Sequence, residues 1–123
     1  MSDSRQKLGR WGEQLAADRL ESQGYLILDR NWRCSRGEID LVTQKGEILV
    51  FVEVKTRRGR DHGTPEEALT KVKAKRLFEL SQRYMLERDI EDAEWRVDLV
   101  AVELDKQGKL LRFEHLPNVL WAW

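Results

Sequence analysis

Hydrophobic positions along the chain follow two rhythms. Between Ser4 and Gln23, Leu8, Trp11 and Leu15 fall at i, i+3 and i+7, and Ala16 and Leu20 extend the stripe. That spacing predicts a helix with one buried face, with Gly24 as its C-terminal cap. Tyr25 to Arg33 (YLILDRNWR) is rich in aromatic and aliphatic residues and reads as a strand. After the turn CSRG comes GEIDLVTQKGEILVFVEVKTR, two strands around a tip at Lys45-Gly46. RRGRDHG has no apolar residue and reads as a loop. Thr64-Pro65-Glu66-Glu67 is a helix start, with Thr64 as N-cap, Pro65 at the first helical position and Glu67 completing a capping box. The helix it opens is expected to run to about Glu87. RDIED breaks it, Trp95 to Leu104 is a strand, Gln107-Gly108 a turn, and LLRFEHL a last strand. The order α-β-β-β-α-β-β predicts one α/β domain over 1–123, with a central mixed sheet and a helix on each side.

Register brings chemistry into this pattern. Side chains alternate faces along a strand. Ile48, Val50, Val52 and Val54 therefore share one face with Ile39, Leu41 and Thr43, and that face is core. Leu49, Phe51, Glu53 and Lys55 share the other with Glu38, Asp40 and Val42. With Lys45-Gly46 as a two-residue loop, Asp40 sits opposite Phe51 and Glu38 opposite Glu53. Asp40 is then a diagonal neighbour of Glu53, within reach for side chains. Like charges brought together cost free energy unless something compensates. Lys55 offsets part of that cost. A hard divalent cation offsets more, because Mg²⁺ takes carboxylate oxygens and retains several waters. Such an ion lowers the pKa of a bound water and stabilises charge on a phosphoryl oxygen, and Lys55 could orient or deprotonate the water. Glu-x-Lys alone is a short motif that arises often by chance. Asp40, 13 positions earlier across a tight turn, makes it specific.

Composition narrows the setting. The 123 residues are enough to bury a core without disulfide or metal. Hydrophobic residues make up 41% and charged residues 36%, which is a globular and not a disordered composition. Lys plus Arg and Asp plus Glu both number 22, so any nucleic-acid contact must come from a local basic patch. Cys34 is the only cysteine; no internal disulfide can form, which suits a reducing cytoplasm. The polar start MSDSRQKLGRWGEQ is not a signal peptide, and no apolar run approaches the roughly 20 residues of a membrane span. The expectation is a cytoplasmic protein with no membrane partner.

Asp40…Glu53-Val54-Lys55 resembles the D-x12-E-x-K arrangement of the PD-(D/E)xK nucleases, the restriction-endonuclease-like superfamily. A closer resemblance covers nearly the whole chain. G-x-x-G-E-x-x-A from Gly9 to Ala16, G-Y-x-I-L-x-R-N-W-R from Gly24 to Arg33, G-E-I-D-L-V from Gly37 to Val42 and F-V-E-V-K-x-R from Phe51 to Arg57 look like the YraN family of small bacterial proteins. That family is similar in turn to Holliday junction resolvases. The resemblance implies a restriction-endonuclease-like fold and a Mg²⁺- or Mn²⁺-dependent endodeoxyribonuclease acting on branched or structured DNA. It implies that Asp40 and Glu53 bind metal, that Lys55 serves the water and that Glu13 supports the metal from the first helix. Glu13 shares a stripe with Ala16 and Leu20, which turns it away from open solvent. The position before Asp40 is Ile39, where the superfamily pattern has proline.

Positive charge gathers around this constellation. Arg30, Arg33 and Arg36 precede it; Arg57, Arg58 and Arg60 follow it. Arg33, Arg36, Arg57 and Arg58 are the expected phosphate contacts. Lys73 joins them because it falls within the apolar arc of Leu69, Leu77, Leu80 and Tyr84 and can point into the site. Trp32 could stack on a base, though packing is the commoner fate, as it is for Trp11, Trp95, Trp121 and Trp123. The C-terminal LWAW is a compact apolar patch that offers a homodimer contact. Asp98, between Val97 and Leu99, reads as a salt-bridge partner more than as a site residue. Two other readings stay open: a nucleic-acid-binding domain with a nuclease-like fold that does not cut, and a protein-interaction module whose acidic cluster is a structural ion network.

Overall fold

The computed structural model describes residues 4–61 and 63–122, the side chains of residues 121 and 122 excepted. Its elements are α1 (Ser4–Ser22), β1 (Leu26–Cys34), β2 (Gly37–Lys45), β3 (Ile48–Arg58), α2 (Lys71–Glu87), β4 (Trp95–Leu104) and β5 (Leu110–Leu116), with short 3₁₀ turns at Glu66–Ala68 and Val119–Ala122. The order is the expected α-β-β-β-α-β-β. The five strands form one sheet in the order β1-β2-β3-β4-β5, antiparallel except for the parallel pair β3–β4. The parallel pair follows from α2, which carries the chain back across the sheet. This mixed sheet between helices is the architecture of a restriction-endonuclease-like fold. No helix among the described residues is long and apolar enough to cross a membrane.

Both sheet faces are covered. Beneath α1, Ala16, Ala17 and Leu20 pack on Leu41, Val50, Val52, Val100 and Val102. Beneath α2, Leu77, Leu80 and Tyr84 pack on Val42, Leu49, Phe51 and Val97. The first helix approaches through its small residues. A Cβ on Gly12 would stand 1.9 Å from Thr56 Oγ1, so α1 and β3 touch backbone to side chain there. This close seat turns Trp11 outward, 44% exposed. Trp11 is therefore not the core residue its helical spacing predicted. Trp32 and Trp95 are packing residues, edge-on to Tyr84 and Phe51 at 5.4 and 5.8 Å. Trp121 and Trp123, and with them the proposed apolar patch, lie outside the described side chains.

Three expectations need correction. The tip of the β2–β3 hairpin is Gly46-Glu47, with Lys45 paired to Ile48, Gln44 to Leu49 and Val42 to Phe51. Gly46 has φ +60 and Glu47 needs no positive φ, the pattern of a II′ turn with glycine first. Moving the loop by one residue moves every partner by two, so the faces stay as predicted while the partners change. Ile39 also departs: it packs beneath α2, whereas Leu41 packs beneath α1. The β2–β3 ladder ends at Leu41–Val52, and strict alternation ends with it. Finally, the predicted start of the second helix is split. Thr64 and Glu67 do form a reciprocal cap: Glu67 Oε1 accepts from the Thr64 amide at 2.7 Å, and the Glu67 amide donates to Thr64 Oγ1 at 3.3 Å. This cap closes only a 3₁₀ turn. Leu69 then takes an extended conformation and buries its side chain, and Thr70 caps α2 by accepting from the Lys73 amide. A second threonine with a buried leucine before it outcompetes continuation of the first turn.

Candidate functional site

The site forms where β3 parts from β2. Past Val52, β3 keeps only β4 as a ladder partner, through Glu53–Leu99, Lys55–Ala101 and on to Arg58–Leu104. The Val54 amide donates to Asp40 Oδ2 at 2.8 Å, so a side chain takes the place of a ladder bond. The ladder stops at Leu41–Val52, one residue short of Asp40 and Glu53, which adjoin just beyond it. The two carboxyls are close enough for Glu53 to act on the ionisation of Asp40. Lys55 Nζ stands 3.3 Å from Glu53 Oε2, with both side chains largely buried. Asp40, Glu53 and Lys55 are thus brought together.

Asp40 is 7% exposed. Burial and the adjoining Glu53 carboxyl push its acid well above the usual carboxylate range; the Val54 amide pulls the other way and does not offset them, and Glu13 adds a smaller upward push.

Glu13 stands near this pair without joining it. Its Oε1 accepts from Asn31 Nδ2 at 2.9 Å, and Asn31 holds a positive φ of 50° to present that amide. Among the described residues no three His, Cys, Asp or Glu side chains converge so as to hold a metal ion. The two-carboxylate set still fits one kind of ion. Mg²⁺ is held by one or two carboxylates with waters completing its octahedron, and Asp40 with Glu53 is such a pair.

The predicted phosphate contacts are dispersed. Lys73 lines a cavity of about 190 Å³ with Glu38, Glu53, Lys55 and Arg76. Arg76 was missed in the sequence, although it lies at i+3 from Lys73 on the same helix face. Arg57 and Arg58 line a second cavity, on the α1 side, of about 490 Å³, which also reaches Lys55. The Arg58 guanidinium leans toward Gly108 in the β4–β5 turn. Arg33 donates to Glu38 at 2.7 Å, and Arg36 lies 4.0 Å from Glu79, so both exposed guanidiniums have carboxylate neighbours. Arg60 is drawn off altogether: with Arg112 it holds the buried Glu103 on β4.

Asp98 is away from this cluster. Fully buried, it accepts from Arg96 at 3.0 Å and from the Asn118 amide at 2.9 Å, and lies 2.6 Å from His115 Nε2. It is a salt-bridge partner, as expected, but with a histidine 17 positions away that the sequence did not point to.

The profile of the protein family described as "Uncharacterised protein family UPF0102" matches residues 12–102. The chain is 42% identical over 118 residues to a "UPF0102 protein" of Roseiflexus castenholzii, covering 95% of each chain. It is 43% identical to one of Pelotomaculum thermopropionicum, covering 96% of this chain and 98% of that one. With one of Arthrobacter sp. it shares 49% identity over 112 residues, 91% of this chain and 94% of the other. The chain belongs to the UPF0102 family.

Proposed function

We propose that this UPF0102 protein is a metal-dependent endonuclease that hydrolyses phosphodiesters of branched or otherwise structured DNA. One observation carries the reading: the buried Asp40 adjoins Glu53, and Glu53 Oε2 lies 3.3 Å from the Lys55 ammonium, where β3 leaves β2. A buried Asp40 carboxyl that keeps its proton beside a second carboxyl is a costly arrangement for a purely structural contact. It becomes favourable when a divalent cation replaces the proton.

Bound Mg²⁺ or Mn²⁺, held by Asp40 and Glu53, would supply Lewis-acid stabilisation of a phosphoryl oxygen and a water of lowered pKa. The protein's own residues do the rest. Asp40 gives up its proton, and the Val54 amide fixes the orientation of its carboxylate. Lys55 Nζ donates hydrogen bonds that aim the attacking water and the phosphate. Glu13, tethered by Asn31, adds negative charge behind Asp40. Lys73 and Arg76 on one side, and Arg57 and Arg58 on the other, offer cations to the flanking backbone.

The test is cleavage of labelled duplex, single-stranded, flap and four-way-junction DNA with Mg²⁺ or Mn²⁺, beside Asp40→Asn and Lys55→Ala. Cutting by the wild type that is lost in both variants supports the reading and identifies the substrate. A second reading, binding without cutting, is favoured by the engagement of Glu13 with Asn31, which leaves only two carboxylates for an ion. Salt-dependent DNA binding by a wild type that cuts none of the four DNAs would select it.

A further inference from the structure

Two glycines one turn apart on α1 meet different surroundings. Gly12 is pressed against Thr56 and has no room for a Cβ. At Gly9 an added Cβ would meet nothing within 4 Å, and its backbone is ordinary helix. Glycine inside a helix lowers stability relative to alanine, and no packing contact requires it at this position. What Gly9 leaves open is the α1-side cavity of about 490 Å³, a volume typical of sites that enclose small molecules.

The walls of that cavity are chemically mixed. Leu8 and Gly9 give it an apolar side; Lys55, Arg57 and Arg58 give it a cationic one. Among the described residues, two buried side-chain polar atoms lack a hydrogen-bond partner, Thr56 Oγ1 and Arg57 Nε, and both belong to residues of this wall. Thr56 Oγ1 is closed off against Gly12, and Arg57 Nε is buried behind the wall, so the cavity meets the outer guanidinium nitrogens of Arg57 and not these two atoms. Lys55 lines both this cavity and the smaller one that Glu53 lines, which places the cavity one residue from the acidic cluster along β3.

We propose that this cavity receives a single unstacked nucleotide unit, its phosphate against Arg57 and Arg58 and its sugar and base against Leu8 and Gly9. The choice of a nucleotide rests on the phosphodiesterase reading above; the pocket itself does not. A fully paired duplex keeps its bases stacked and cannot fill such a space. The preferred DNA therefore carries an unpaired nucleotide or a strand end beside the cut position.

The test is done without metal, so that it does not depend on cleavage. Thymidine 5′-monophosphate, inorganic phosphate, a blunt duplex and a duplex with a 5′ single-stranded tail are each titrated into the full-length wild type, Asp40→Asn, Gly9→Ala and Gly9→Phe. The expected result is that wild type and Asp40→Asn bind the mononucleotide more tightly than inorganic phosphate and the tailed duplex more tightly than the blunt one. Gly9→Ala should melt higher than wild type, while Gly9→Phe fills the cavity and weakens mononucleotide binding by about tenfold or more. Amide shifts of the wild type on adding the mononucleotide should centre on residues 8–9 and 55–58, a readout that stands even if Gly9→Phe does not fold. Absence of mononucleotide binding, equal binding of inorganic phosphate, unaltered binding by a folded Gly9→Phe, or shifts centred elsewhere would each overturn the inference. A wild type that binds the mononucleotide but cuts no DNA would sink the nuclease reading and leave the pocket standing.

Discussion

Two aspartates are buried in this sheet, and their surroundings are opposite. Asp98, 0% exposed, is enclosed by Arg96, His115 and the Asn118 amide. Burial alone would push its acid up, but those three donors outweigh burial and hold it below the usual carboxylate range. Asp40, 7% exposed, has one backbone donor and a second carboxyl as its neighbour, and its acid is pushed far up. Asp98 has its donors within the protein, while Asp40 has one backbone donor and a carboxyl neighbour. Buried carboxylates that hold a fold together look like the first; those arranged for a cation and a reaction look like the second.

Substitution should separate the two most sharply in stability. Asp98→Ala leaves Arg96 and His115 facing a hole and should cost about 3–5 kcal/mol in urea unfolding, the range for breaking a buried ion pair. Asp40→Asn should do the opposite in metal-free buffer and raise the unfolding midpoint, because it removes a carboxyl that burial and Glu53 disfavour. Equal destabilisation by both would erase the distinction.

Activity separates them next. Lys55→Ala should lower DNA cleavage by about 10²–10⁴-fold, as removal of a positioned catalytic group does, measured on variant protein that is folded at the assay temperature. A smaller effect follows from packing on the same strand. Gly12→Ala drives a methyl into Thr56 Oγ1 and should cost about 1–3 kcal/mol, the usual range for overpacking, whereas Gly12→Ala combined with Thr56→Ala, which removes that oxygen, regains part of the loss.

The pH dependence of the two aspartates differs in sign. A carboxyl whose folded pKa lies above its unfolded value of 3.8 contributes stability at low pH and loses it as pH rises toward the folded pKa. Asp98, held below 3.8, contributes stability above that value and loses it on acidification. Metal-free wild type should therefore lose stability between about pH 5 and 8 relative to Asp40→Asn. Unfolding midpoints for the two proteins across that range measure the difference; parallel curves would show that Asp40 is not strained.

The sequence made some of this legible for a physical reason. Strand alternation has a period of two, so misplacing the hairpin tip by one residue changed the partners along the β2–β3 ladder but not their faces, and Asp40, beyond the ladder's end, still reached Glu53. Helix starts carry no such protection. Thr64 and Thr70 are both competent caps, and the choice between them was made by the burial of Leu69 against α2. Charge was the least legible feature. Arg60 stands near the site in sequence, yet it turns to Glu103, 43 positions away on another strand, and His115 reaches Asp98 only because β5 pairs with β4. Such pairings arise from tertiary contact, and local spacing carries no trace of them.

The most direct measurement is the melting temperature of wild type, Asp40→Asn, Glu53→Gln and Lys55→Ala against rising Mn²⁺ or Mg²⁺, with no DNA present. Binding to the folded state alone raises the melting temperature with ion concentration. The predicted result is a saturable rise in wild type and Lys55→Ala that is absent in Asp40→Asn and Glu53→Gln. A flat wild-type response, or an equal rise in all four proteins, would contradict the claim that the carboxyl pair is a cation site.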